Sequence, residues 1–522
     1  AYALMLDAGR KSGSEKVFER AVELGLRARS ADAALDAARA WQRAVPTSRA
    51  ANRYVLQILI GLNRVSDTLE PLRRELAGTA GTERISTIGL LPRYYARVTD
   101  KTLAAEQIET ALTTDLSSKT TGPAAWSALG MMRLQAGNAA GALQAAQKGA
   151  ALNPRSDEIA VLALNLLDTQ AAQAQPLVDV YLAGKPLPDL QMAYIRKLIA
   201  SNRLSEARLQ LATLTERNPA FAEGWLMKGS LQLQDSLLGE AETSLKRYLQ
   251  LAGADTAPGD EAKAETERST VQALLMLAQI ADDTNKPAEA EAYLVRINSQ
   301  QDALRVQIRR ALMAARQGKM DQARALIRLT PEAQADDARA KLSAEVQLLR
   351  DYQLNAQAYA LLEEALPRFS KDAGLLYEQA MLAEKINRPA DMERLLRKVI
   401  ADFPEYHHAY NALGYLLADR NQRLPEARAL INKALEYAPN DPFIVDSLAW
   451  VEFRSGNLPE ARRLLEKAYG LRPDPEIAAH LGEVLWSLGL KDEATDIWRT
   501  AQQSDKANTT LQETIRRLRG TL

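Results

Sequence analysis

The chain of 522 residues contains no cysteine. That excludes disulfide staples, thiol nucleophiles and thiolate metal sites, and it leaves the compartment open: a cysteine-free chain suits the cytosol and an oxidising periplasm alike. Histidine is nearly absent, with His407, His408 and His480 only. Neither sign of charge is in surplus, since Lys+Arg and Asp+Glu are both 66. This argues against a general nucleic-acid or anionic-membrane binder, which needs a basic excess, although it leaves room for a local basic patch. No run of about 20 apolar residues occurs, so no membrane-spanning helix is legible. No signal peptide is visible. The chain starts at Ala1 without methionine and in mid-repeat, which is compatible with an upstream targeting segment removed before that point.

Catalytic motifs are also lacking. There is no HExxH, no GxSxG and no Gly-rich phosphate loop; Gly81, Gly89 and Gly122 stand alone. Carboxylates alternate with Arg and Lys at i+3 and i+4, as on solvated helix faces. Adjacent helical residues point about 100° apart, so His407 and His408 read as solvated or groove-lining side chains and not as a metal pair. The expectation is a non-enzyme with no cofactor and no metal.

What the chain does have is periodicity. Aromatics are 5%, while Ala and Leu abound, as in stacked helical pairs. Within the stretch 406–473, residues 407–439 read HHAYNALGYLLADRNQRLPEARALINKALEYAP and residues 443–473 read FIVDSLAWVEFRSGNLPEARRLLEKAYGLRP. Tyr410 is followed by Leu413-Gly414, and Ala427 comes 13 residues after Gly414, before Ile431, Ala434 and Pro439. Leu448-Ala449, Ala461, Leu465, Ala468 and Pro473 repeat the order, and Pro439 to Pro473 is 34 residues. Small residues on both helices allow close antiparallel packing, and the large neighbours fill the flanks. Asn421 and Ser455-Gly456-Asn457 suit the left-handed turn that ends a helix. Pro425 and Pro459 sit where the first helical turn has no N–H to lose, and Pro439 and Pro473 stop the second helix.

This is the period and residue order of a tetratricopeptide-repeat (TPR) hairpin, which the chain resembles almost throughout. The resemblance implies an all-α, right-handed superhelical solenoid of about 13–14 hairpins, with helix A of each lining the inside. Residues 1–8 read as a lone helix B, and 507–522 as a capping helix. An N-terminal array is expected over 1–252, degenerate near 156–188; a loop or hinge over 253–261; and a C-terminal array over 262–506. Pro92 should kink or shorten the first helix of the third hairpin. Trp126 and Trp225 occupy the large-residue position and read as core.

A TPR binds a partner segment along its inner face. The C-terminal repeats place Asn411, Tyr415, Asp446, Trp450, Phe453, His480, Glu483 and Trp486 at inner positions. Aromatics beside hydrogen-bonding groups are what a peptide hot spot needs; for Trp450, Phe453 and Trp486 the alternative is packing between neighbouring helices. No Lys and Asn clamp of the chaperone-tail adaptors is present. In character the long Ala/Arg-rich array, with AYALMLDAGR and VFERAVELGLRARS near its start, is similar to proteobacterial TPR lipoproteins of the outer membrane that partner a periplasmic carboxyl-terminal processing protease. That resemblance implies a scaffold holding the protease and delivering cell-wall hydrolases to it, with a lipid anchor upstream of this chain; a cytoplasmic location is the alternative. Two other readings stand beside it: a TPR module of an exopolysaccharide secretion or outer-membrane assembly system, and an enzyme with a TPR targeting arm.

Overall fold

The structure is a computed structural model that describes residues 2–254, 259–332 and 334–520. Among these residues there are thirty α-helices and no strands. After a leading helix, Tyr2–Ser12, they form fourteen antiparallel hairpins, from Glu15–Arg27 with Ala31–Ala44 to Pro475–Ser487 with Lys491–Ser504, and a closing helix, Thr509–Leu518. Two compact units divide between Met276 and Leu277, inside the helix Asp260–Asp283.

Helix starts follow from side chains that satisfy the orphan N–H groups of the first turn. Ser48, Asp100, Asn138, Ser156, Asp372, Asp441, Asp474 and Asn508 each accept from such an N–H. The turn from helix A to helix B is as regular. In twelve of the fourteen hairpins it holds at least one residue of positive φ: Asn63, Asn202, Asn285, Asn387 and Asn421 at 53–57°, Gly137, Gly318, Gly456 and Gly489 at 76–83°, and Arg29, Ser236 and Gln353 at 54–60°. Asn tolerates this left-handed conformation and Gly adopts it freely. The third and fifth hairpins lack such a residue, and these are the two whose sequence is least regular.

The close helix approach falls on the expected small residues. A Cβ at Gly414 would lie 3.0 Å from the Ala427 carbonyl oxygen and overlap Ile431; one at Gly229 would press on Leu245, and one at Gly482 would overlap the Trp498 ring. Ala427, Ile431, Ala461, Leu465 and Trp498 are fully buried. Leu511 and Ile515 of Thr509–Leu518 pack with Trp498 and Leu485 and close the core of the second unit. Solenoid ends need such a cap because the last repeat has no neighbour to cover its apolar face.

Three expectations need correction. The helix Gly81–Tyr94 is 14 residues long and runs two residues beyond Pro92, so the proline does not shorten it. Pro92 sits in its last turn, where only one ladder bond is lost and the chain is about to leave the helix. Trp126 and Trp225 are half-buried and not fully enclosed, with Trp126 packed against two core clusters. Their rings lean on the repeat while each indole donates to a backbone carbonyl, Leu116 at 2.9 Å and Pro219 at 3.1 Å, under a lysine ammonium. An indole N–H needs an acceptor, and the preceding turn supplies one at the surface. The expected loop is narrower than 253–261, because Leu238–Ala254 and Asp260–Asp283 enter it from either side; 255–258 lie outside the described residues. The last two residues of the expected cap, 521–522, also lie outside them.

Candidate functional site

Three consecutive A helices of the second unit, His407–Asp419, Pro442–Arg454 and Pro475–Ser487, carry the predicted residues, and Ala373–Lys385 precedes them as the neighbouring A helix. On each, side chains spaced by three, four or seven residues share one face: Tyr377 and Glu384; His408, Asn411, Tyr415 and Asp419; Asp446, Trp450 and Phe453; Glu476, His480 and Glu483.

The structure brings five of the eight predicted residues into contact. His480 is buried, and its Nδ1 lies 2.9 and 3.0 Å from the two carboxylate oxygens of Asp446, one helix away. Its Nε2 is 3.3 Å from the Tyr415 hydroxyl on the helix beyond. The Trp450 ring stacks on the imidazole with centroids 4.2 Å apart, and Phe453 lies against Trp450 at 5.0 Å. Burial alone would lower the His480 pKa, but the charge and hydrogen bond of Asp446, helped by Glu483 and Glu476, outweigh it and raise the value. Imidazolium donates from both nitrogens, so it can serve Asp446 and Tyr415 at once. Burial, then Asp419, Asp446, Glu476 and Glu384, push the Tyr415 phenol well above its ordinary value, so it stays protonated.

The other three predicted residues are placed differently. Glu483 is buried and held by Arg517 of the closing helix at 2.5 Å. Asn411 is half-buried, and its side-chain oxygen is buried with no partner. Trp486 turns to its own hairpin, with Trp498 at 5.7 Å and the Lys491 ammonium 5.1 Å over its ring. Trp450 is 5% exposed, so it packs between helices, whereas Phe453 and Tyr415 are half-buried and border the open face.

The sequence reading missed Glu384, Asp419 and Glu476. All three are exposed, and none has a cation within 4.0 Å among the described residues. Their signal was present: each sits four or seven residues from a predicted or aromatic position, but long-range placement was needed to show that they converge. Glu384 feels Asp419 and Glu476; although much of its side chain is exposed, desolvation of its carboxyl by the surrounding helices, set against Lys385, raises its pKa, and those two carboxylates raise it further.

His407 is half-buried and His408 exposed, in keeping with solvated or groove-lining side chains. Their rings lie 4.1 Å apart within an aromatic group that includes Tyr377, Tyr406 and Tyr437. They open the helix His407–Asp419, where side chains are not yet confined by a preceding helical turn. Partial burial and then His407 lower the His408 pKa. No group of three or more His, Cys, Asp or Glu able to hold a metal ion occurs among the described residues.

The class this defines is an all-α repeat solenoid presenting a polar and aromatic face. The model of the tetratricopeptide-repeat family matches residues 195–260, 377–442 and 447–508, the last two spanning the helices just described. A TPR repeat-containing protein of Pseudomonas aeruginosa is 36% identical over 207 residues, which is 40% of this chain and 35% of that protein. The chain therefore spans about a third of the length of that curated relative. Among solved structures, a thermophilic TPR protein of Thermus thermophilus matches 32% of this chain and 92% of its own at 23% identity with a TM-score of 0.30. A tetratricopeptide repeat protein from Parabacteroides merdae matches 47% of this chain and 98% of its own at 16% identity with a TM-score of 0.36. The chain carries tetratricopeptide repeats over the residues that the family model matches.

Proposed function

We propose that the chain is a non-catalytic scaffold that holds a partner segment along the A-helix face of its second unit. TPR repeats as a class are protein-binding modules, and no helix of the described residues is long and apolar enough to cross a membrane. One observation carries the reading: half-buried Tyr415 and Phe453, the orphaned Asn411 oxygen and unpaired carboxylates share a face that the fold leaves open. Buried polar atoms are normally satisfied, so an unsatisfied one beside an open face favours a ligand there.

The finer reading is a periplasmic adaptor, anchored at the outer membrane by a lipid upstream of this chain, that brings a carboxyl-terminal processing protease together with cell-wall hydrolases. Its support is the character of the Ala/Arg-rich array and of its opening segments, and the proteobacterial source of the 36% identical relative. The test is a pull-down with this chain as bait from an envelope extract of its source organism, read by mass spectrometry. Recovery of such a protease with hydrolases is expected. Recovery of polysaccharide-export or cytosolic partners without a protease overturns the adaptor reading and leaves a scaffold with another partner.

A further inference from the structure

We infer that the proton on His480 sets the hydrogen-bonding polarity of Tyr415 at the A-helix face of the second unit. When His480 is charged, the Tyr415 O–H is free to donate to a partner; when His480 is neutral, that O–H is turned onto the imidazole. For its use in binding this rests on the scaffold reading, to which it adds a proton-linked control of the face.

His480 is 5% exposed, and its Nδ1 stands 2.9 and 3.0 Å from the two oxygens of Asp446. An ionised carboxylate only accepts, so Nδ1 carries a proton whether the ring is charged or neutral. The two states therefore differ at Nε2, which lies 3.3 Å from the Tyr415 hydroxyl. In imidazolium Nε2 donates, the phenol oxygen accepts, and the phenol's own O–H is left for another acceptor. In the neutral ring Nε2 is an acceptor, and the phenol satisfies it by donating. Among the described residues the Tyr415 hydroxyl has no second hydrogen-bond partner that could hold its proton in one direction. The exchange needs only rotation about the phenol C–O bond. Trp450, stacked on the imidazole at 4.2 Å, keeps the ring plane in place, and no helix has to move. Tyr415 is half-buried at the border of the open face, so its polarity is presented there.

The charged groups around the pair place the titration on His480 and above the ordinary histidine value. Burial opposes the charge on the ring; Asp446 of the neighbouring A helix outweighs it, and Glu483 and Glu476 on the histidine's own helix add to Asp446. Glu483 is in turn paired with Arg517 of the closing helix. Burial of Tyr415, then Asp419, Asp446, Glu476 and Glu384, keep the phenol protonated, so within the pair it is His480 that exchanges a proton with solvent. A partner segment laid along the A helices brings backbone carbonyls, which only accept. A carbonyl on Tyr415 therefore binds more tightly with His480 charged, and by reciprocal linkage its binding raises the His480 pKa.

The test uses the full chain without a partner, so its outcome does not depend on the scaffold reading. The variant His407→Gln/His408→Gln changes one half-buried and one exposed side chain and leaves His480 as the single histidine. Isotope labels in the histidine ring and at tyrosine Cζ then report both groups by NMR from about pH 5 to about pH 9. Nε2 is expected to lose its proton with a midpoint above about pH 6.5 while Nδ1 keeps its own. The Tyr415 Cζ signal, assigned with Tyr415→Phe, should move with the same midpoint although the phenol does not ionise. Asp446→Asn, which keeps an acceptor of the same shape and removes the charge, should lower that midpoint by about 1–3 pH units. Loss of the proton from Nδ1 instead, a Tyr415 signal that ignores the His480 titration, or no His480 titration over this range overturns the inference. A Tyr415 response that follows His480, with no partner recovered in the pull-down, leaves the proton-linked polarity standing and refutes the scaffold reading alone.

Discussion

Replacing Gly414 by alanine tests the packing logic of the repeat at a single methyl group. In an open helix the change is favourable by about 1 kcal/mol, because alanine loses less backbone entropy than glycine. At Gly414 the new Cβ would stand 3.0 Å from the Ala427 carbonyl oxygen and overlap Ile431. Neither neighbour can give easily: one is helix backbone, and Ile431 is fully buried. Overpacking of this kind costs about 1–3 kcal/mol, so the helix-propensity gain is cancelled or exceeded and the net effect is destabilisation by about 0–2 kcal/mol. Gly89, within the helix Gly81–Tyr94, is the control, since a Cβ there meets nothing within 4 Å. Gly89→Ala should stabilise its hairpin by about 0.5–1 kcal/mol. A repeat array does not melt as one unit, so the assay is native-state hydrogen exchange at the amides of His407–Asp419 and Leu424–Tyr437 compared with those of Gly81–Tyr94. In an Ile431→Ala background the Gly414→Ala penalty should shrink by about 1 kcal/mol or more, as expected for residues in contact. Equal changes at the two glycines, or no coupling to Ile431, would refute this account of helix approach.

Three more outcomes follow from the same structure. Trp450→Ala should destabilise the second unit by about 3–5 kcal/mol, as for a core tryptophan, whereas Phe453→Ala should leave circular-dichroism melting close to the parent while weakening a bound partner; the reverse order would show that Phe453, and not Trp450, is structural. The His480 pKa is raised in the fold, so its contribution is full below the unfolded value of about 6.5 and is lost as pH rises through the folded value. Hydrogen-exchange protection in Pro442–Arg454 and Pro475–Ser487 should therefore decline above about pH 6.5, and His480→Gln should flatten that decline. Asp115 is buried against Arg84, which pairs with it through two nitrogens, and although burial opposes it this partner and Thr121 hold its carboxyl below the usual range. That contribution is present above about pH 3.9 and is lost as pH falls through the folded value; Asp115→Ala should cost about 3 kcal/mol at neutral pH by stranding a partly buried guanidinium, measured by thermal melting.

The helical order of the chain was legible because TPR packing is local. Each hairpin needs small residues at two fixed places, a left-handed residue between its helices and a proline or cap at its ends, and all of these lie within 34 residues of one another. Gly414 with Ala427 and Asn421, and Ala449 with Ala461 and Gly456, could be assigned from spacing and meet as spacing requires. The third and fifth hairpins stood out in sequence through Pro92 and through the degenerate stretch near 156–188, and the structure adds that their turns hold no residue of positive φ.

Tertiary structure alone decided what the inner face offers. Spacing puts Asp446, Trp450 and His480 on inner positions, but it cannot say that Trp450 is sealed against His480 while Phe453 is left half-open. That depends on how three A helices approach, which is set by side chains 34 and more residues apart: Asp446 meets His480 across 34 residues and Tyr415 meets it across 65. The gathering of Glu384, Asp419 and Glu476 is of the same kind. In sequence each is one more solvated carboxylate, and only stacking the repeats shows that Asp419 and Glu476 act on Glu384 while Lys385 opposes them. A helical period fixes which way a side chain points from its own axis; what it then faces is settled by the neighbouring helices.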